Sequence, residues 1–216
     1  MVKPGGELPN TSSDTEERIL EAANKVFVER GTAGARTEEI AREAGVNKAL
    51  LHYYFRTKER LAEAVFERMA KAFFPQILQV IMSDLPIEEK VEQVVEIELT
   101  QLRKFPFIPG YLICEMNQHP DRLPQLLALI GVKPEAVRTQ LFGKLRTQIR
   151  EQVEAGTMVP IDPEQFMANL ISLCIFPFAA RPMLKAVLGM DDKAFGRFLD
   201  VRRKELAGFF LRGLRP

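Results

Sequence analysis

A chain of 216 residues, 46% of them hydrophobic, can bury roughly 70% of the surface of its extended form, enough for one sizeable helical domain and a smaller one. Its 30 lysines and arginines against 29 acids leave a formal net charge of +1. That argues against a sequence-blind nucleic-acid coat, but not against a protein that concentrates its basic groups on one small surface. Two cysteines, Cys114 and Cys174, are too few for a disulfide framework and stand among apolar neighbours, so buried inert thiols are expected, with a redox sensor as the alternative.

Residues 1–13 are rich in Pro, Gly and Ser and lack the apolar core of a signal peptide, so a disordered tail is expected there. Residues 18–31, RILEAANKVFVERG, put Ile19, Ala23, Val26 and Phe27 on one stripe of a first helix. Residues 37–58, TEEIAREAGVNKALLHYYFRTK, read as two short helices around a tight turn. Thr37 can cap the first of them, with Glu38 and Glu39 complementing the positive end of its dipole and Ile40, Ala41 and Ala44 forming its apolar side. Gly45 supplies the turn, Val46 a buried plug, and Asn47 the cap of a second helix running through Phe55. Helical periodicity points Val46, Leu51 and Phe55 one way and Lys48, Ala49, His52, Tyr53 and Arg56 the other.

That outward face suits a major groove, which admits one helix and offers acceptors, donors and thymine methyls. Lys48 can reach guanine acceptors, His52 a base edge, and Ala49 or Leu50 a methyl; Tyr53, Tyr54 and Lys58 sit where hydroxyl and ammonium groups would meet phosphate oxygens. From Gly45 to Lys58 there are three basic residues, Lys48, Arg56 and Lys58, and no acid. A surface helix of any all-helical protein can carry the same pattern, so the residues by themselves leave both readings open.

The string AGVNKALLHYYFRTKERL resembles the signature of the tetracycline-repressor (TetR) family of bacterial transcriptional regulators, in which a turn glycine, a buried valine, an aromatic pair, a phenylalanine and a lysine recur in this order. The resemblance spans residues 19–61. It implies that Thr57 caps a fourth helix entered through Lys58, that Thr37, Tyr53, Tyr54 and Lys58 hold phosphates, and that Lys48, Ala49, Leu50 and His52 face bases. His52 stands where a tyrosine is frequent and Leu50 where a small polar residue is common, departures that bear on base preference.

Helical spacing dominates beyond residue 60. One helix is expected over 58–82, bent or broken near Pro75, with Leu61, Val65, Met69 and Phe73 along its stripe. Pro86 starts another through Lys104, and Pro106, Pro109 and Gly110 confine a short helix to 111–118. Pro120 and Pro124 punctuate a segment containing LPQLLALI; helices follow over 134–155, stopped by Gly156, then over 163–188 and 191–212. The fold is therefore all-α, with a tail over 1–13, a three-helix helix-turn-helix DNA-binding domain over 14–60, and a helical domain over 61–216 to which the resemblance assigns effector binding and dimerisation. The longest apolar run, 166–178, is broken by Asn169, Ser172 and Pro177 and is shorter than the roughly 20 residues of a spanning helix, so a soluble cytoplasmic protein with no membrane partner is expected.

Phe195, Leu199, Leu206 and Phe209 recur at helical spacing, and residues 166–178 are apolar almost all round. A core within one chain would satisfy such helices. In the TetR family the corresponding helices pack against their symmetry mates, so the resemblance implies a homodimer with these four residues at its interface, seated on a near-palindromic double-stranded DNA operator. It also implies a pocket for an apolar or amphipathic small-molecule effector, bordered by Phe73, Glu98, Phe107, Tyr111 and Phe176. Glu98 interrupts the apolar stripe of Val91, Val95, Leu102 and Phe105, and a buried carboxylate needs a partner or a wet cavity. Arg146, Arg150 or Arg181 could pair with it; otherwise it lines the pocket.

The sequence holds no metal-ligand cluster, no phosphate-cradling glycine loop and no set of nucleophile, base and oxyanion donors; its histidines are His52, in the recognition helix, and His119, beside Pro120. The expected function is a dimeric transcriptional regulator, a repressor released from its operator by a small-molecule effector, with no cofactor and no enzymatic activity. The alternative is a helical enzyme or small-molecule binding protein with a vestigial helix-turn-helix.

Overall fold

The computed structural model describes residues 11–118 and 142–216 and, between them, residues 120, 124, 127, 128, 131, 133, 135 and 139; of 11, 12, 72, 73 and 115 it describes the backbone alone. The described residues form α1 (Thr11–Gly34), α2 (Thr37–Glu43), α3 (Lys48–Phe55), α4 (Lys58–Met82), α5 (Ile87–Lys104), α6 (Ile108–Gln118), α7 (Phe142–Glu154), α8 (Pro163–Ala179), α9 (Arg181–Val187) and α10 (Asp192–Arg212), and among them there is no strand. Residues 11–13 belong to α1 rather than to a tail. His119 and most of the LPQLLALI segment lie outside the described residues.

The chain forms two compact units that divide between Arg68 and Met69. In the first, α1 buries Ile19, Ala23, Val26 and Phe27, and kinks at Gly31, whose φ of 67° is open to glycine without steric cost. α2 packs on α1 and on α3, burying Ile40, Ala41 and Ala44 from one helix and Leu51 and Phe55 from the other. The unit reaches beyond the expected limit at residue 60 because the opening turns of α4 belong to its core. Leu61, Ala62, Val65 and Phe66 are buried, and Arg68 pairs with Glu17 of α1 at 2.5 Å.

In the second unit, α4 continues through Pro75, which removes one backbone hydrogen bond without ending the helix. α5 buries Ile87, Val91, Val94, Val95, Leu99 and Leu102 on one stripe, and α8 and α10 both pack against it. α8 also lies against α6, α7 and α9, which bury Phe166, Met167, Leu170, Cys174 and Phe178 and leave Phe176 exposed. Phe166 of α8 meets Phe210 of α10 edge to face, ring centroids 5.1 Å apart. α6 begins at Ile108, three residues before the expected start, taking Pro109 and Gly110 into its first turn, where a missing N–H costs nothing.

The helix expected over 163–188 is two helices, α8 and α9, bent by 73°. Prolines account for the break. Pro182 has no N–H to continue the ladder and stands instead in the first turn of α9. Pro177 likewise cannot donate to the carbonyl four residues earlier, that of Leu173; the Arg202 side chain does so in its place, through Nε at 3.1 Å and Nη2 at 2.6 Å. Cys174 is buried, and burial pushes its thiol up, whereas Cys114 is exposed on α6, contrary to the expectation of two buried thiols. Among the described residues no single helix is long and apolar enough to cross a membrane.

Candidate nucleic-acid interface

The turn between α2 and α3 is built from local chemistry. Asn47 accepts from the Leu50 N–H at 2.7 Å through Oδ1 and so caps α3. Gly45 turns the chain at φ +65°, and the Val46 N–H donates to the Ala41 carbonyl oxygen at 2.9 Å. Val46 is half-buried rather than a fully buried plug. The guanidinium of Arg18 on α1 donates to the Ala44 carbonyl oxygen at 2.7 Å, holding the carbonyl end of α2. Thr37 is not the cap of α2: it is the first helical residue, and Arg36, extended at φ −111° and ψ 138°, precedes it without a side-chain capping bond.

Lys48, Ala49, His52, Tyr53 and Arg56 line one shallow concavity on the outer face of α3. Leu50 is exposed beside it, and Tyr54 is half-buried with its ring set edge to face against Tyr53, centroids 5.5 Å apart. Tyr53 is 74% exposed, a large aromatic that its own fold leaves mostly open to solvent. The Lys48 ammonium is ion-paired with Glu38 of α2, and this hydrogen bond holds the Glu38 carboxyl below the usual carboxylate range. Lys58 turns inward, its Nζ donating to the carbonyl oxygens of Ala33 and Ala35 at 3.2 and 3.3 Å, while Thr57 caps α4 by accepting from the Arg60 N–H at 3.2 Å. Arg56, absent from the residues singled out as contacts in the sequence, shares the face. The acid-free run from Gly45 to Lys58 was the signal that could have included it.

In the helical unit Glu98 is buried, 5% exposed, and burial alone pushes its carboxyl up to about 7. None of the three arginines weighed as its counter-ion pairs with it. Arg146 pairs with Glu164 at 2.8 Å, Arg150 with Glu154 at 3.9 Å and Arg181 with Asp192 at 2.5 Å. The Cys174 thiol is buried as well, and its pKa is raised by that burial and by the Glu98 charge.

Residues 19–65 match the family described as bacterial regulatory proteins, tetR family. Over 185 residues the chain is 41% identical to the HTH-type transcriptional repressor NicS of Pseudomonas putida, covering 82% of each chain. The chain belongs to the TetR family. It is accordingly a helix-turn-helix, DNA-binding transcriptional regulator. Over its whole length it is also 25% identical to the HTH-type transcriptional regulator RutR of Escherichia coli K12, covering 97% of that protein. Its fold is that of the fatty acid degradation regulator FadR from Bacillus halodurans, at a TM-score of 0.57, 20% identity and 97% of each chain.

Within this TetR-family chain the remaining expected residues divide. Phe107 and Tyr111 are half-buried near the start of α6, whereas Phe176 is 51% exposed on α8, which removes it from an interior pocket wall; the Phe73 side chain lies outside the described residues. Phe195, Leu199 and Leu206 are buried inside the single chain, on a helix that packs against α5, with the Arg181 guanidinium over the Phe195 ring. Of the four residues expected at a dimer interface, only Phe209 is exposed, at 60%.

Proposed function

We propose that this TetR-family regulator is a homodimeric repressor that reads a near-palindromic operator through α3 of each subunit and leaves it when a small molecule fills the helical unit. The observation that carries the reading is the outer face of α3, where Lys48, Ala49, His52, Tyr53 and Arg56 share one concavity with no acid among them. Base-facing roles go to Lys48, Ala49, Leu50 and His52, and phosphate-facing roles to Tyr53, Tyr54, Thr37 and Lys58. NicS, a repressor by name, supports the sign of regulation.

The dimer face is redrawn on what the single chain leaves uncovered. Phe176 on α8, Val201 and Phe209 on α10, and Met183, Val187 and Leu188 at α9 are exposed large apolar residues of one unit. A dimer formed through such residues reads a near-palindrome only with its recognition helices about 34–36 Å apart, or a multiple of that, on one side of a duplex. For the effector, Glu98 favours an amphipathic molecule with a cationic or hydrogen-bond-donating group, since a buried carboxyl gains most from such a partner.

Selection of bound duplexes from a random library tests the DNA reading: an inverted repeat should be enriched, and recovery of unrelated sequences would defeat it. A thermal-shift screen of amphipathic cations follows, with Glu98→Gln as control. Ligands that raise the midpoint in wild type should lower operator affinity by about 5 to 150-fold, through typical couplings of roughly 1–3 kcal/mol. Retention of every ligand response in Glu98→Gln would remove Glu98 from the site.

A further inference from the structure

Arg56 sits immediately after α3 in a backbone conformation that L-residues rarely adopt. Its φ is 60° and its ψ −56°, and among the described residues it is the non-glycine residue with a positive φ. The Thr57 N–H donates to the Phe55 carbonyl oxygen at 2.5 Å, closing a three-residue turn with Arg56 at its centre. A γ-turn of this hand is strained for any residue with a Cβ, and glycine would adopt it freely. The fold thus retains a side chain where the backbone favours none, and strain of this kind gathers at sites where a side chain is needed.

The side chain is also available. Lys48 is tied to Glu38 and Lys58 to two carbonyls of α1's end, whereas the Arg56 guanidinium, exposed, makes no hydrogen bond or ion pair among the described residues. It borders the concavity shared with Lys48, Ala49, His52 and Tyr53. In helix-turn-helix proteins the N-terminal residues of the recognition helix meet base edges. Arg56 follows the last residue of α3 and so belongs to the other end, where the groove wall of phosphates is met.

We propose that Arg56 is a phosphate-gripping residue of this regulator, its guanidinium aimed by the strained turn at a backbone phosphate beside the groove that α3 enters. The inference rests on α3 being the reading helix. Arg56 would be the cation on this face that engages DNA without first giving up a partner in the protein. The planar fork of a guanidinium takes a phosphate bidentately, so the contact holds register without reading sequence.

Fluorescence-anisotropy titrations between low and moderate salt test it, using a duplex selected by the wild-type protein and a scrambled duplex of equal length. Arg56→Gln removes the charge and keeps the backbone demand; Arg56→Gly removes both; Arg56→Lys keeps the charge. In Arg56→Gln and Arg56→Gly the slope of log affinity against log salt should fall in magnitude by about 0.9 on both duplexes, and in Arg56→Lys it should stay within error of wild type. Arg56→Gly should melt above Arg56→Gln although both bind more weakly. An unchanged slope in Arg56→Gln overturns the phosphate contact, and a loss confined to the selected duplex shows base reading and overturns it too. A melting point of Arg56→Gly at or below that of Arg56→Gln overturns the strain. If wild type itself shows no preference for its selected duplex, the assignment of α3 as reading helix fails, and this inference with it.

Discussion

Arg18 Nη2 and the Ala44 carbonyl oxygen stand 2.7 Å apart, so a cation on α1 closes the end of α2 at the residue before the turn glycine. A second contact, at 3.4 Å to the Gly45 carbonyl oxygen, is longer and weaker. The start of α3 is thereby held by a side chain of α1 rather than by one on its own outer face. Arg18→Gln should destabilise the first unit by about 1.5 kcal/mol, the lower end for a charged hydrogen bond, because the group is partly solvated. Operator affinity should fall while the salt slope stays constant, which separates positioning from phosphate contact. A reduced slope in that variant would mean that Arg18 touches DNA.

Gly45→Ala tests the same turn from the other side. At φ +65° an added Cβ costs roughly 1–2 kcal/mol, and it would stand 3.1 Å from Arg18 Nη2, a flexible end that can give way. Thermal melting of the pair and of the double variant should show coupling, because the two residues share one contact. Strict additivity would disconnect them.

Lys58 has two tasks to distinguish. Lys58→Ala removes an ammonium from the carbonyls of Ala33 and Ala35, and a melting-point loss equivalent to about 1 kcal/mol is expected for this helix-end contact. If Lys58 also reaches a phosphate, the salt slope falls by about 0.9. A lower melting point with an unchanged slope would confine it to the protein's interior bonding. Lys48→Ala should instead relax preference at one base pair, by roughly 1–3 kcal/mol.

Two residues three apart on α10 should behave oppositely. Leu206 is 3% exposed and Phe209 60%. Leu206→Glu buries an unpaired carboxylate within the chain and should unfold the helical unit. Phe209→Glu should leave the melting of the unit nearly unchanged and, if this face joins two copies, yield a single-chain mass by light scattering. A dimer that survives Phe209→Glu at micromolar concentration places the interface elsewhere.

Glu98 carries a pH signature. Its folded-state pKa, about 7, lies above the ordinary 4.5, so between these values the native state binds the additional proton and stability falls as pH rises. Below pH 4.5 the group contributes nothing; above 7 the full penalty, of order 3 kcal/mol, is present. Glu98→Gln should therefore be more stable than wild type at pH 8 and equal to it at pH 4. Equal denaturation midpoints at both pH values would show that the carboxyl has found a partner.

Where a helix boundary is decided by neighbouring atoms, the sequence disclosed it. Asn47, Thr57 and Asp191 each cap the next helix through a side chain that accepts a nearby N–H. Thr37 misled because the same residue type also serves as a first helical residue, and only the extended backbone of Arg36 distinguishes the two. Long-range pairing was less legible. Arg150 and Glu154 are an i,i+4 pair within α7, but which acids Arg146 and Arg181 meet, and that Glu98 meets none of the three arginines, depends on how the helices are arranged, and no local pattern encodes that. The apolar stripe of α10 was visible as a stripe, but a stripe does not say whether its partner is α5 of the same chain or a second copy. Pro177 and Pro182 did carry the break between α8 and α9; their spacing, which strips two successive turns of a donor, was the overlooked signal.

Lys90 is 4% exposed, and its ammonium donates to the Ile81 carbonyl oxygen at 2.7 Å and to Gln148 Oε1 at 2.6 Å, with no carboxylate paired to it among the described residues. Burial accordingly lowers its pKa. Gln148 in turn donates to the Leu85 carbonyl oxygen at 2.9 Å, and Lys144 to that of Met82 at 2.8 Å. The junction of α4, α5 and α7 is therefore wired by amino and amide groups, to carbonyl oxygens inside and to the carboxylates of Asp84 and Glu88 at its rim, and its chemistry sets which spellings of the sequence can drift. Arginine at position 90 is too wide for a seat shaped by a point charge, and methionine would strand the acceptors of Ile81 and Gln148. Lineages descended from this chain should hold lysine and glutamine at positions 90 and 148 together, or lose both in one step to apolar partners of matched volume.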